Sequence, residues 1–412
     1  MMNEVTALKF KLSALSVFRG VLGRSVPRAF YRLLCASDEK PETFLRCYGE
    51  FFSLISERGC ADSVAEAFTE AALFDDNVFT RAAAGGTLSQ LSDEVINAAL
   101  GDCNTVIEAS SLDSEAVLRS YPRYDEISEV VPFLPRWKTG EPALGFRTYD
   151  GSAESLKRWY SENGCGIFAQ YNAFIWRGGG IQPVLNSDSV DLDDFTGYER
   201  QRRLVTENTL AFLDGKSCNN CLLYGDMGTG KSSTVKAMAN AFRNRGLRIV
   251  EMPKEQLREF PQLVDKIARL PMKFIIFIDD LSFQHQDPSY TALKAVLEGG
   301  LAARPSNAII YATSNRRHIV KERLSDRAME VDDINTRDNM QETLSLSDRF
   351  GLAVCFTAPG KKEFLRIVIS MARQRGVDLS DEELCAGAER FALARGGRSP
   401  RCAKQYVESL FC

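Results

Sequence analysis

A chain of 412 residues with 44% hydrophobic and 26% charged residues is long enough for two or three domains with real cores. Those values exclude a mainly disordered chain, a collagen-like repeat and a coiled-coil rod. The 51 Lys+Arg set against 55 Asp+Glu leave a net charge of −4, so no global positive field draws the chain to nucleic acid or anionic lipid, although a local basic patch stays open.

The N-terminal run MMNEVTALKFKLSALSVFRG is interrupted by Glu4, Lys9, Lys11 and Arg19. No segment reaches the roughly 18 apolar residues that a membrane-spanning helix needs, and no secretory leader is expected. The eleven cysteines are scattered and odd in number, so a disulfide framework is not expected and a reduced, cytoplasmic setting is. Only Cys218 and Cys221 form a C-x-x-C pair, and the two histidines, His285 and His318, do not complete a zinc set.

Residues 1–150 are predicted to form a helical N-terminal domain. Phe44, Leu45, Tyr48, Phe51, Phe52 and Ile55 recur at helical spacing after Pro41, a favoured first helical residue. Lys9, Lys11, Arg19, Arg24, Arg28 and Arg32, interleaved with apolar residues, make a basic amphipathic helix. It can face DNA, a membrane surface or a partner, or pack one face and solvate the other; the second reading is favoured.

Residues 151–190 are expected to connect this domain to the next, through a β-hairpin turning at Gly178–Gly180. From 191 to 359 the chain is expected to alternate strand and helix. The apolar runs 221–224, 247–251, 273–279, 307–313 and 352–358 suit a parallel sheet covered by helices. Three helical stretches in 360–412 (about 361–375, 380–395 and 399–411) complete the chain as a small lid.

The decisive segment is LLYGDMGTGKSSTVKAMANAF. Gly225, Gly230, Lys231 and Ser232 satisfy G-x-x-x-x-G-K-[ST] between a strand and a helix. Gly225, Gly228 and Gly230 let the backbone curl, so that successive N–H groups from Gly225, Asp226, Met227, Gly228, Thr229 and Gly230 onward to Ser233 can face phosphate oxygens. The following helix adds its positive end. Lys231 would reach the β- and γ-phosphates of ATP, and Ser232 would ligate Mg²⁺. About 50 residues on, the apolar strand Phe274–Ile278 ends in Asp279 and Asp280. Carboxylates there sit beside a phosphate loop: Asp279 on the metal side, Asp280 as the base that polarises water. A helix N-cap pair is the plainer alternative. The strand NAIIYATSN ends in Thr313, Ser314 and Asn315, and an amide there can hold the attacking water or simply form a turn.

GDMGTGKSS, FIIFIDDLSF, YATSNRR and LSDRFG, in this order and at these spacings, resemble the Walker A, Walker B, sensor 1 and arginine-finger boxes of the AAA+ ATPases. More narrowly, GYERQ, LLYGDMGTGKSST, the DDLSF to LAARP block, IYATSNRRH, LSLSDRFGL and GGRSPR are similar to a bacterial family catalogued as a domain of unknown function and predicted to be AAA+ ATPases. That similarity runs from about residue 165 to the end. It implies an α/β P-loop core of strand order 5-1-4-3-2 with a C-terminal helical lid. It also implies Gly197 and Tyr198 near the adenine, Asn315 as sensor 1, Arg349 as a finger reaching a neighbouring subunit, and Arg401 as the lid arginine, with Arg398 the alternate. The chain departs from the AAA+ pattern in ending its second box Asp279-Asp280 where Asp-Glu is usual, which makes a slow switch more plausible than a fast motor.

The expected function is therefore hydrolysis of ATP to ADP and phosphate by a homo-oligomer that remodels an unidentified protein client. The alternative is a slow or non-hydrolysing ATP-gated binding module, with nucleic acid as an open partner. A P-loop kinase is disfavoured by the Asn315, Arg349 and lid constellation.

Overall fold

The computed structural model describes residues 4–186, 190–281, 293–294, 297, 305–315 and 349–411. They form two compact units, Met1–Gln170 and Tyr171–Cys412. His285, His318, Arg316, Arg317 and the polar stretch up to Ser347 lie outside the described residues, as does most of the DDLSF to LAARP block.

The first unit is helical throughout its described length. Its longest helices, Pro41–Glu57 and Asp93–Ser110, start where the sequence supplies a first-turn proline and a pair of acids beside the positive helix end. Phe30, Phe51, Phe68 and Trp137 meet edge-on or tilted in its core, at centroid distances of 5.0 to 6.5 Å. The N-terminal helix Glu4–Ser13 buries Val5, Leu8 and Leu12. Its lysines are engaged at home, Lys9 with Asp38 at 2.5 Å and Lys11 with Glu108 at 2.6 Å. One carboxylate oxygen of the buried Asp102 then accepts the backbone N–H groups of Ser16, Val17 and Phe18, which ties the end of this segment into the core.

The expected connecting region 151–190 is divided rather than separate. Helix Ala153–Asn163 buries Leu156 and Tyr160 in the core of the first unit, with Ser152 as its cap, because its apolar residues recur on one face. The hairpin belongs to the second unit. Its strands β1 (Ala173–Arg177) and β2 (Gly180–Pro183) pair antiparallel across a two-residue turn. Gly178 and Gly179 both hold positive φ there, the conformation a tight hairpin of this length requires.

The second unit carries one seven-stranded sheet. Five further strands complete it: β3 (Cys221–Gly225), β4 (Leu247–Glu251), β5 (Lys273–Ile278), β6 (Ala308–Ser314) and β7 (Leu352–Phe356). The order is β2-β1-β4-β5-β6-β3-β7, parallel except for the β1–β2 pair. This differs from the five-stranded expectation, because β1 adds in parallel to the outer edge of β4 and brings β2 with it. Trp176 on β1 explains the docking. Its ring is fully buried, its Nε1 donates to Glu259 at 2.7 Å, and Lys266 stands over the ring.

The central strands β5 and β6 are buried nearly end to end, as a parallel sheet covered on both faces demands. Helices Glu199–Leu213 and Lys231–Ala241 supply Val205, Phe212, Val235 and Met238 to one of those faces. Three further helices, Lys361–Gln374, Asp381–Ala394 and Pro400–Ser409, pack round their own core of Phe364, Ile367, Leu384 and Val407. No helix among the described residues is long and apolar enough to cross a membrane.

Candidate functional site

All five strands from β3 to β7 run parallel, so their C-terminal ends lie along one edge of the sheet. At that edge β3 runs into a glycine-rich loop and then into helix Lys231–Ala241. Gly225, Gly228 and Gly230 all hold positive φ. At two of them a side chain would also collide. A Cβ on Gly225 would lie 2.2 Å from the carbonyl oxygen of Phe356, and one on Gly228 would lie 3.1 Å from Ser399 and Arg401. Positive φ at all three and crowding at Gly225 and Gly228 are what call for glycine at these positions.

Lys231 opens the helix and folds back over the loop. Its ammonium donates to the carbonyls of Gly225 at 2.9 Å and Asp226 at 2.7 Å, and to Asn315 Oδ1 at 3.2 Å. The side chain is almost wholly buried, and burial pushes its pKa below the ordinary lysine value; the charges of Asp226, Asp280 and Asp279 oppose this shift and Arg401 adds to it. Ser232, the next residue, donates its hydroxyl to Asp279 Oδ1 at 2.6 Å. Asn315 faces two ways, accepting from Lys231 and donating Nδ2 to Asp280 Oδ1 at 2.8 Å. Thr229 braces the loop from within, its hydroxyl donating to the carbonyl of Asp226 at 2.8 Å. Met227 stands exposed at the loop tip, and Ser233 is half-buried in the first turn of the helix.

Gly197 and Tyr198, expected near the adenine, adjoin the start of the same loop through β7. Tyr198 stacks on Phe356 with ring centroids 5.4 Å apart and donates its hydroxyl to the carbonyl of Thr357 at 2.6 Å. Burial, followed by the charges of Asp226 and Glu363, pushes its phenol up to about 12. A Cβ on Gly197 would meet Glu363 of the lid helix Lys361–Gln374 at 2.9 Å. Arg401 lies in the first turn of the last helix, after Ser399 as cap and Pro400 as first residue, and its backbone N–H donates to the carbonyl of Gly228 at 3.1 Å. The alternate, Arg398, is held by both oxygens of Glu389 at 2.8 and 2.9 Å.

Residues 169–412 match the family described as protein of unknown function (DUF815). The chain belongs to this family. None of the curated proteins compared with it matches. Solved structures similar to this DUF815 chain include a single-residue variant of Thermotoga maritima RuvB, at 16% identity and a TM-score of 0.37, over 53% of this chain and 63% of that one. The T. maritima RuvB Holliday junction branch migration motor is similar at 13% identity and a TM-score of 0.32, over 53% and 72% of the two chains. A DNA replication initiation factor is similar at 15% identity and a TM-score of 0.36, over 55% and 66%.

Arg349 is not brought to this site. It precedes β7, at the N-terminal end of the strands, whereas the loop is at the C-terminal end. Five strand residues at about 3.3 Å each separate the two edges by roughly 15 Å. Within one subunit of this DUF815 chain, then, Arg349 and Lys231 stand at opposite ends of the strands.

Three features of the site carry no sequence motif. Asp226 is one of the expected loop residues, yet its carboxylate accepts the N–H of Ala358 at 2.6 Å, clasping the chain that leads from β7 into the lid. Thr313 touches Asp279 and the backbone of Asp280. Glu251 ends β4, where burial pushes its carboxyl up; Lys236 opposes and Asp279 adds to the shift. A cavity of about 120 Å³ opens beside Glu251, lined by Phe174, Lys236, Asn240, Ile249 and Phe277 among others. Cys221, half of the C-x-x-C pair, is fully buried in β3 with its thiol pushed far up by burial.

The donor set fits Mg²⁺ and a triphosphate. A hydroxyl and a carboxylate from Ser232 and Asp279 suit a hard cation. Contrary to the expectation for Asp226, its N–H is not left for phosphate but donates to the carbonyl of Phe356 at 2.9 Å; the rest of the glycine loop and the N-terminal end of helix Lys231–Ala241 suit phosphate. The buried ammonium of Lys231 gains more from an anionic partner than an exposed one would.

Proposed function

We propose that this chain binds Mg·ATP on the Gly225–Gly230 loop and hydrolyses it to ADP and phosphate as an AAA+ type ATPase. One observation carries the reading: Lys231, Ser232, Asp279, Asp280 and Asn315, from three separate segments, join in one hydrogen-bonded group around that loop. The strand order supports it as well. The sheet runs β2-β1-β4-β5-β6-β3-β7, mostly parallel, with the phosphate-loop strand β3 between β6 and β7.

In this reading the loop and the helix end bind phosphate, Lys231 neutralises the terminal phosphates, and Gly197 and Tyr198 border the base. Mg²⁺, when bound through Ser232 and Asp279, supplies charge neutralisation at the phosphates. Asp280 orients the attacking water and takes its proton, with Asn315 fixing the carboxylate. Arg401 senses the nucleotide from the lid, and Arg349 acts on the site of a neighbouring copy in a homo-oligomer. ATP turnover in the cytoplasm then moves the lid and remodels a protein client.

A second reading, an ATP-gated module with very slow turnover, is favoured by one detail: the carboxylate of Asp280 is already taken up by Asn315. Phosphate release with Mg·ATP, measured for wild type and Asp280→Asn, tests both. Hydrolysis requires release that falls about 100-fold or more in the variant, the scale of a lost general base. Wild-type turnover near 10⁻³ s⁻¹ or lower, comparable to an unstimulated GTPase, together with tight binding, supports the gated module. Release unaffected by the substitution removes Asp280 from its role.

A further inference from the structure

We propose that Thr313 is the positioning residue that sets both carboxylates at the end of β5, an inference that rests on the nucleotide reading above. Thr313 is the second-last residue of β6 and is 2% exposed. Its hydroxyl donates to Asp279 Oδ1 at 2.5 Å and accepts the backbone N–H of Asp280 at 2.9 Å. The polarity is fixed by chemistry, since a carboxylate only accepts and an amide N–H only donates. One side chain thus holds the first aspartate by its carboxylate and the second by its backbone.

Both contacts answer a specific need. Asp280 has φ of 48°, one of two non-glycine residues with positive φ among those described. That conformation is strained for a residue with a side chain and persists only where its surroundings hold it. Thr313 holds it from the side chain through the Asp280 N–H. Its own carbonyl accepts the N–H of Leu281 at 2.7 Å, and the hydroxyl of Ser314 donates to the carbonyl of Leu281 at 2.8 Å. The left-handed turn at Asp280 in turn carries its carboxylate to Asn315. Meanwhile Asp279 Oδ1 receives Ser232 Oγ, Thr313 Oγ1 and the Asp280 N–H, three donors that fix the plane of the carboxylate. A β-branched side chain in a strand has a restricted χ1, which suits a hydroxyl that must stay on two partners.

The test measures binding of Mn²⁺ to the ADP-loaded full chain by electron paramagnetic resonance, beside binding of ADP in EDTA. Thr313→Val keeps the shape and removes the hydroxyl; Thr313→Ser keeps the hydroxyl. The expected result is Mn²⁺ binding weakened about 10–100-fold in Thr313→Val, the usual effect of losing a group that orients a metal ligand. ADP binding in EDTA stays at the wild-type level, and Thr313→Ser restores Mn²⁺ binding. Mn²⁺ binding equal to wild type in Thr313→Val overturns the proposal, as does an equal loss with and without metal that serine fails to restore. If Thr313→Val does not fold, Thr313→Ala carries the same comparison. If the wild type binds no ADP under either condition, it is the nucleotide reading that falls, and this proposal with it.

Discussion

Lys231 shows most directly how local physics becomes function. Its ammonium is buried among backbone carbonyls and the amide of Asn315, so its charged form is disfavoured relative to a lysine in water. Phosphate binds the charged form, so binding and protonation are linked. Affinity for ATP is full where Lys231 is already protonated in the free protein and is lost as pH rises through its lowered pKa. The fall therefore begins at a pH below the ordinary lysine value of 10.5. Calorimetric titrations with Mg·ATP in buffers of different ionisation heat check this, with proton uptake on binding expected to set in below the ordinary lysine value as pH rises. Proton release would contradict it. At this scale the sequence was informative wherever chemistry demands a residue type at a fixed spacing, as in Gly225 to Ser232. It was silent on Thr313 and on the carboxylate of Asp226, because their partners lie 33 and 132 residues away and no local pattern marks such pairs.

The strands and helices followed from periodicity and end signals. β5 and β6 are apolar on both faces and short, a pattern that only a covered parallel sheet explains. Ser380 with Glu383, and Ser399 with Pro400, mark the starts of two lid helices. The hairpin itself was legible from its glycines, but not its place beside β4. Alternation along Ala173–Arg177 specifies a half-buried strand without naming its neighbour, and Trp176 finds Glu259 across 83 residues. Ser399 joins two elements at once, because it caps the last helix through the Cys402 N–H and stands against Gly228 of the loop. Ser399→Ala should cost about 1 kcal/mol of stability, or roughly 2–4 °C in a calorimetric melt. An unchanged melting temperature would show that the cap contributes nothing.

The chain folds as two compact units, a helical body and a sheet with three C-terminal helices. The six cations expected on one basic N-terminal helix are spread instead over Glu4–Ser13, Arg19–Gly23 and Ser25–Cys35, with Arg24 between the last two. Lys9 and Lys11 are paired, and three N–H groups converge on Asp102, which ties this segment into the body. In the proposed reading, Arg349, at the end of the strands opposite the loop, acts on a neighbouring copy. An arginine supplied across an interface contributes about 10³–10⁵ in rate, or about 4–7 kcal/mol of barrier. ATPase activity per subunit should therefore rise with protein concentration and collapse in Arg349→Ala while nucleotide binding survives, as steady-state phosphate release across a dilution series would report. Equal specific activity at every dilution, with the variant unaffected, would contradict a role in trans.

The expectations about Lys231 and Arg349 presuppose that the glycine loop holds a nucleotide. Equilibrium titration of the full chain with a fluorescent ATP analogue and Mg²⁺, for wild type and Lys231→Ala, measures that directly. The expected result is saturable binding by the wild type and a loss of about 10–150-fold in the variant, the equivalent of a charge-assisted contact worth roughly 1.5–3 kcal/mol. No binding by the wild type, or equal affinity in the two proteins, would contradict it.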